Sequence, residues 1–156
     1  LELAKLEPNQ KFIFKTKVDN FKGTKKGIKK LKNNLPNNCS IVTKGSGIDL
    51  IKNASIVVGF NTTGILESVI LDKPTVVPLI NIRGKEILKR VLKFSNKIHY
   101  YPRSKIEYKE TIKKLLNKSN KIKKYYPKEK DLIDYYLGNV KGNSGQKLRN
   151  VIYKIF

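Results

Sequence analysis

The stretch Ser55-Ile56-Val57-Val58-Gly59-Phe60-Asn61-Thr62-Thr63-Gly64-Ile65-Leu66-Glu67-Ser68-Val69-Ile70-Leu71-Asp72-Lys73-Pro74-Thr75-Val76-Val77-Pro78 decides the fold. It opens on a continuous apolar run, residues 55–60, of the kind a parallel sheet buries on both faces. A turn of small polar residues, Asn61 to Gly64, follows at once. Ile65, Leu66, Val69 and Ile70 then recur at helical spacing, and Leu71 extends the apolar face. Asp72-Lys73-Pro74 stops that helix, because proline cannot continue it and restrains the residue before it. Residues 75–79 read as a second strand. Strand, turn, helix and strand in this order form a βαβ unit, whose two strands pair in parallel.

Working outward, the alternation continues on both sides. Phe12, Ile13 and Phe14 form a short apolar run that predicts a strand over 11–17. Residues 20–38 are polar and Lys-rich, with a short helix expected over 25–33 and an Asn-rich loop after it, which holds Cys39. Residues 40–43 read as a strand, Lys44-Gly45-Ser46-Gly47 as a turn, and 48–54 as a helix with Ile48, Leu50, Ile51 and Ala54 on one face. Beyond the central unit, the spacing predicts a helix over 84–93, a strand over 97–101 and a helix over 105–118 carrying Ile106, Ile112, Leu115 and Leu116. A helix begins at Pro127, a loop covers 138–143, and Asn143 or Ser144 caps a last helix with Leu148, Val151, Ile152 and Ile155. No internal repeat or linker divides the chain. The expectation is a single α/β domain over 1–156: a Rossmann-like three-layer fold with a parallel sheet of about four to six strands, helices on both faces and a helical C-terminus.

Composition narrows the function classes. At 156 residues and 39% hydrophobic, the chain can bury a real core and is too apolar for a disordered basic tail. A single cysteine, Cys39, leaves no internal disulfide framework and no cysteine-rich zinc site, and a single histidine, His99, argues against a histidine-based metal site. No metal or other cofactor is expected. With no Met and Leu1 at its start, the sequence is read as the later part of a longer chain. The net charge of +22 attracts polyanions. Yet 30 of the 34 basic residues are Lys and only Arg83, Arg90, Arg103 and Arg149 are Arg, whose fork is the usual reader of phosphates and base edges. Lys rises together with Ile (18) and Asn (15), the pattern of a genome-wide codon bias. Most of the charge is therefore expected to be a solvated surface, the rest facing a membrane or another polyanion.

The candidate site follows from the sheet. In open parallel sheets ligands bind beyond the carboxyl ends of the strands, where helices begin with unpaired N–H groups and a positive dipole end. Asn61, Thr62, Thr63 and Gly64 occupy such a place and suit a phosphate; the alternative is that Asn61 or Thr62 merely caps the helix. Glu67 lies about one turn beyond Thr63 on the same face, placed to accept hydrogen bonds from a ribose diol, or simply to favour the helix dipole. Ser46 opens a second turn ahead of a helix, with Asp49 at capping-box spacing, and Lys15 with Lys17 ends the first strand where a cation could meet a diphosphate. His99 reads as structural, and Cys39 has no visible base to activate it.

Residues 49–78 resemble the donor-binding half of GT-B glycosyltransferases, in the bacterial surface-carbohydrate branch that also includes likenesses to teichoic-acid polymerases and nucleotide-sugar 2-epimerases. The shared pattern is a helix ending in Ala54, a buried strand, the Ser/Thr-type turn Asn61-Thr62-Thr63, a helix bearing the carboxylate Glu67, then Asp72-Lys73-Pro74 where the family usually has Gly-Lys-Pro. The ending Tyr136-Leu137-Gly138 through Gly142-Asn143-Ser144-Gly145-Gln146 is similar to the C-terminal signature of capsule and lipopolysaccharide transferases. Lys15-Thr16-Lys17-Val18 keeps the Lys but not the His of a Lys-Pro-His-Pro type segment found in many members.

The resemblance implies a nucleotide-sugar donor as ligand, with Thr62 and Thr63 on the diphosphate and Glu67 on the ribose. It implies a transferase, inactive as this chain alone, that also needs an N-terminal acceptor half, which usually carries the general base. A growing glycan or glycolipid would be the acceptor. The expected location is cytoplasmic, peripheral at the inner face of an anionic membrane. Two rivals remain: a nucleic-acid-binding module that uses the charge and the tyrosine pairs at 100–101, 125–126 and 135–136, and a sugar-nucleotide 2-epimerase-like domain with the same turn. Nucleic acid is the less expected partner, since Lys is spread along the chain without a recognised motif.

Overall fold

A computed structural model describes residues 1–16, 27–29, 32–60, 62–82, 99–117, 143 and 146. Within them the protein is a mixed α/β structure of short helices and two short parallel sheets, with no closed barrel. Two compact units divide it, Leu1–Leu50 and Ile51–Phe156. The helices expected over 84–93, from Pro127 and after Ser144, and with them the helical C-terminus and the 136–146 signature, fall wholly or almost wholly outside the described residues. No described helix is long and apolar enough to cross a membrane.

The first unit holds helix α1 (Glu2–Leu6), strands β1 (Phe12–Lys15) and β2 (Cys39–Val42), and the start of helix α2 (Gly47–Asn53). Residues 27–29 and 32 are helical, within the stretch where a helix is expected. β1 and β2 pair in parallel with Phe12 opposite Cys39 and Lys15 opposite Val42. The amides of Phe12 and Thr16 close the ladder on the carbonyls of Asn38 (2.8 Å) and Val42 (3.1 Å). Cys39, read from sequence as a loop residue, is thus the first residue of β2. α1 has no counterpart in the sequence reading, because five residues are too few to show a period, though it buries Leu3 and Ala4. Asn38 fixes it: its side-chain amide donates to the carbonyls of Ala4 (2.9 Å), Glu7 (3.0 Å) and Gln10 (2.9 Å). Two amide hydrogens thereby serve three carbonyls, the groups that a helix end and the turn after it leave without partners.

The second unit holds β3 (Val57–Val58), α3 (Gly64–Ile70), β4 (Thr75–Val76), β5 (His99–Tyr100) and α4 (Lys105–Asn117). Its sheet has the order β3-β4-β5, and every pair is parallel. Pairing runs past the strand ends: the Gly59 amide donates to Val76 O at 3.1 Å, and Leu79 N to Pro102 O at 2.8 Å. Ile65 and Val69 of α3, Val76 of β4 and Val77 directly after it are fully buried, with Leu66 nearly so. Each such side chain contributes about 1.5–3 kcal/mol. The apolar run at 55–60 departs from its expectation. Only Val57 and Val58 form strand, and Val58 and Phe60 are 46% and 40% exposed rather than buried on both faces. Among the described residues β3 pairs with β4 alone, at the edge of its sheet.

The stop after α3 is a complete Schellman motif. Leu71 is the C-cap residue, Asp72 N donates to Val69 O at 3.0 Å, and Lys73 N donates to Ser68 O at 2.8 Å. This closure puts Asp72 at φ 53°, in the left-handed region where a Cβ is strained. The position is the one where the resembled family carries Gly. Asp72→Gly is therefore expected to stabilise the protein by about 0.5–1 kcal/mol and Asp72→Val to destabilise it, as read by urea unfolding. Equal midpoints for the three proteins would contradict this account of the turn.

Candidate functional site

The turn after β3 lies at the carboxyl edge of the parallel sheet, because β3, β4 and β5 all run the same way. Thr62 and Thr63 are exposed there. Thr63 occupies the N-cap position of α3, with φ −59° and ψ −25°, and its hydroxyl makes no cap hydrogen bond. The backbone does the closing: Ile65 N donates to Thr62 O and Glu67 N to Thr63 O, both at 3.1 Å. Capping by Thr62, the alternative from sequence, is limited to a contact of Gly64 N with Thr62 Oγ1 at 3.4 Å, longer than the usual N–H···O range. Asn61 lies outside the described residues. Two hydroxyls therefore stand at a helix start whose dipole favours an anion. Glu67, in the first turn of α3 and partly exposed, follows Thr63 by one turn.

α3 is held from behind. Ser68, fully buried, donates to Ile65 O at 2.7 Å and meets the hydroxyl of buried Thr75 on β4, which itself reaches Lys73 O at 3.0 Å. Two hydroxyl hydrogens serve these three contacts, so at any moment one of the three holds no proton. Glycine use also differs from the sequence reading. A Cβ on Gly64 would make ordinary contact with Ile51 Cδ1 at 3.7 Å, whereas one on Gly59 would lie 3.0 Å from Thr62 Cγ2 and 3.3 Å from Ile65 Cγ1. Gly59 is thus the residue that lets the turn fold back against the end of β3. Sequence reasoning singled out Gly64 and passed over Gly59.

Lys15 and Ser46 belong to the first unit, while Thr62, Thr63, Gly64 and Glu67 belong to the second. Lys15 Nζ donates to Thr16 O (3.1 Å) and Thr43 O (3.4 Å), so its ammonium sits at the carboxyl ends of β1 and β2. Ser46 is exposed immediately before α2, after Gly45, whose φ of 85° suits glycine.

His99 on β5 is fully buried, and burial lowers its pKa from 6.5 to about 4. Its ring lies 6.2 Å from that of Tyr101, tilted by 49°. Together with Tyr100, Tyr101, Pro102, Arg103, Glu107 and Thr111 it lines a half-open cavity of about 300 Å³. Sequence reasoning missed this cavity; the available signal was Tyr100-Tyr101-Pro102-Arg103 directly after a strand.

No family model, curated protein or solved structure matches the chain.

Two predictions follow from this geometry. Gly59→Ala is expected to cost about 1–3 kcal/mol by crowding Thr62 and Ile65, and Gly64→Ala to be neutral or stabilising by up to about 1 kcal/mol; the reverse order in urea midpoints would contradict it. For His99, the unfolded chain takes up a proton near pH 6.5 and the folded chain only near about 4. Between those values the unfolded state binds more protons, so stability falls as pH drops through this window and is retained above it, by up to about 3 kcal/mol in all. His99→Leu removes that part of the slope, and an unchanged slope would show that His99 does not titrate this way.

Proposed function

We propose that this protein is the donor-binding half of a GT-B type glycosyltransferase for surface-polysaccharide synthesis. The same reading gives the chain a Rossmann-like three-layer fold with a parallel sheet of about four to six strands. The supporting observation is the exposed Thr62-Thr63 turn at the carboxyl edge of a parallel sheet, with Glu67 one helical turn on. A second support comes from Asp72, whose left-handed backbone fits the Gly of the family's Gly-Lys-Pro.

In this reading the diphosphate of a nucleotide sugar meets the start of α3 and the two threonine hydroxyls, and Glu67 accepts hydrogen bonds from the ribose diol. As the bond from the sugar to the phosphate breaks, charge grows on the departing diphosphate. Fixed N–H groups and hydroxyls oppose that charge without reorganising, which is how such sites lower a barrier. Transfer proceeds without a metal, to a glycan or glycolipid held by a separate acceptor half. The protein acts in the cytoplasm, peripheral at an anionic membrane, where each lysine near the surface contributes about 1 kcal/mol.

Calorimetric titration with nucleoside diphosphates and nucleotide sugars at moderate salt tests this. The expected result is binding selective for one nucleoside and weakened about tenfold or more in Glu67→Ala. Binding that ignores the base, survives Glu67→Ala and falls steeply with salt would point instead to a general polyanion surface.

A further inference from the structure

The cavity at the end of β5 is separate in sequence from the Thr62-Thr63 turn but belongs to the same sheet edge. β3, β4 and β5 are parallel and adjacent in that order, so their carboxyl ends face one way. β5 lies two strand spacings from β3, roughly 10 Å. At about 300 Å³ the cavity is at the small end of ligand sites. It has room for one ring-sized unit.

Its lining selects among ligand classes. A bare phosphate would meet Arg103 but also the Glu107 carboxylate, whose repulsion offsets that attraction. An acyl chain would meet hydroxyls and charges. A metal would find one carboxylate beside a buried imidazole. A neutral ring with hydroxyls around its edge suits the set. Tyr100 and Tyr101 offer flat apolar faces with hydroxyl tips, Arg103 offers donors, and Glu107 and Thr111 offer acceptors.

Glu107 is also held in place. Glu107 Oε2 accepts from the Arg103 amide at 2.7 Å, and Glu107 N donates to Ser104 Oγ at 3.1 Å, so the first turn of α4 is fixed from both sides. Glu107 and Thr111 are one turn apart on α4, with Cβ atoms about 5–6 Å from each other. That spacing lets them reach hydroxyls on different sides of a single pyranose ring. His99, also in the lining, lies with its ring 6.2 Å from that of Tyr101.

We propose that this cavity is a carbohydrate subsite that takes one neutral glycosyl ring of a glycan. It goes beyond the donor site and does not depend on it. The test uses the whole protein, with methyl glycosides of common hexoses and N-acetylhexosamines as probes and no nucleotide present. In NMR titration, at least one probe shifts the Tyr100 and Tyr101 ring signals and the Arg103 and Thr111 amides at millimolar concentration. Thr111→Val and Arg103→Gln each weaken this binding by about fivefold or more, while Glu67→Ala leaves it unchanged. Glu107→Gln keeps the acceptor to the Arg103 amide, so its fold is preserved, and it too weakens the binding. Absence of shifts for every probe, shifts that persist in Thr111→Val and Arg103→Gln, or shifts produced by inorganic phosphate or a free nucleobase instead of a glycoside would each overturn the proposal. A failure of nucleotide binding alone would leave it standing.

Discussion

In the second unit, α3 is pressed onto β4 in one register. Ile65, Val69, Val76 and Val77 are all fully buried, and the buried hydroxyls of Ser68 on α3 and Thr75 on β4 touch. Apolar packing alone would let a short helix slide, since its energy depends on area more than on direction. The hydroxyl contact is directional and sits where water cannot replace it, so a shift of α3 would strand polar groups. The Schellman closure at Asp72 fixes the far end of the helix in the same register. What remains free is the near end, where Thr62 and Thr63 are exposed.

This division of labour explains how so short a helix can present a fixed first turn. A seven-residue helix is too short to be stable by itself. Its C-terminal half is held by packing and capping, and its N-terminal turn makes no side-chain cap bond at Thr63. The start of α3 is therefore placed by contacts that a ligand does not disturb. Gly59 has a similar part: with no side chain, it lets Thr62 and Ile65 come close enough for the turn to sit directly beyond β3.

Much of this was legible in the sequence because the central unit combines patterns of different kind. A helical period over Ile65, Leu66, Val69 and Ile70, a proline stop at Pro74 and flanking β-branched runs agree with one another, and α3 and β4 formed where those patterns predict them. Burial of residues 55–60 was misjudged because an apolar run does not say whether a strand is central or at an edge, and Val58 and Phe60 are exposed. α1 escaped notice because its anchor, Asn38, is distant in sequence and acts through backbone carbonyls that carry no residue signature. The cavity at β5 escaped for a related reason: Tyr101, Arg103 and Thr111 come from a strand end, a loop and a helix, and only the fold collects them. Net charge, the loudest number in the composition, locates no site.

The central proposal is that the neutral Thr62-Thr63 turn takes the diphosphate and Glu67 the ribose, and that the lysine-rich surface is not the anion site. Amide chemical-shift mapping with nucleoside diphosphates at moderate salt tests it most directly. The account predicts the largest shifts at Gly64, Ile65 and Glu67, produced by one nucleoside in preference to the others. Shifts spread over the lysine-bearing surfaces, equal for every base and abolished by salt, would contradict it.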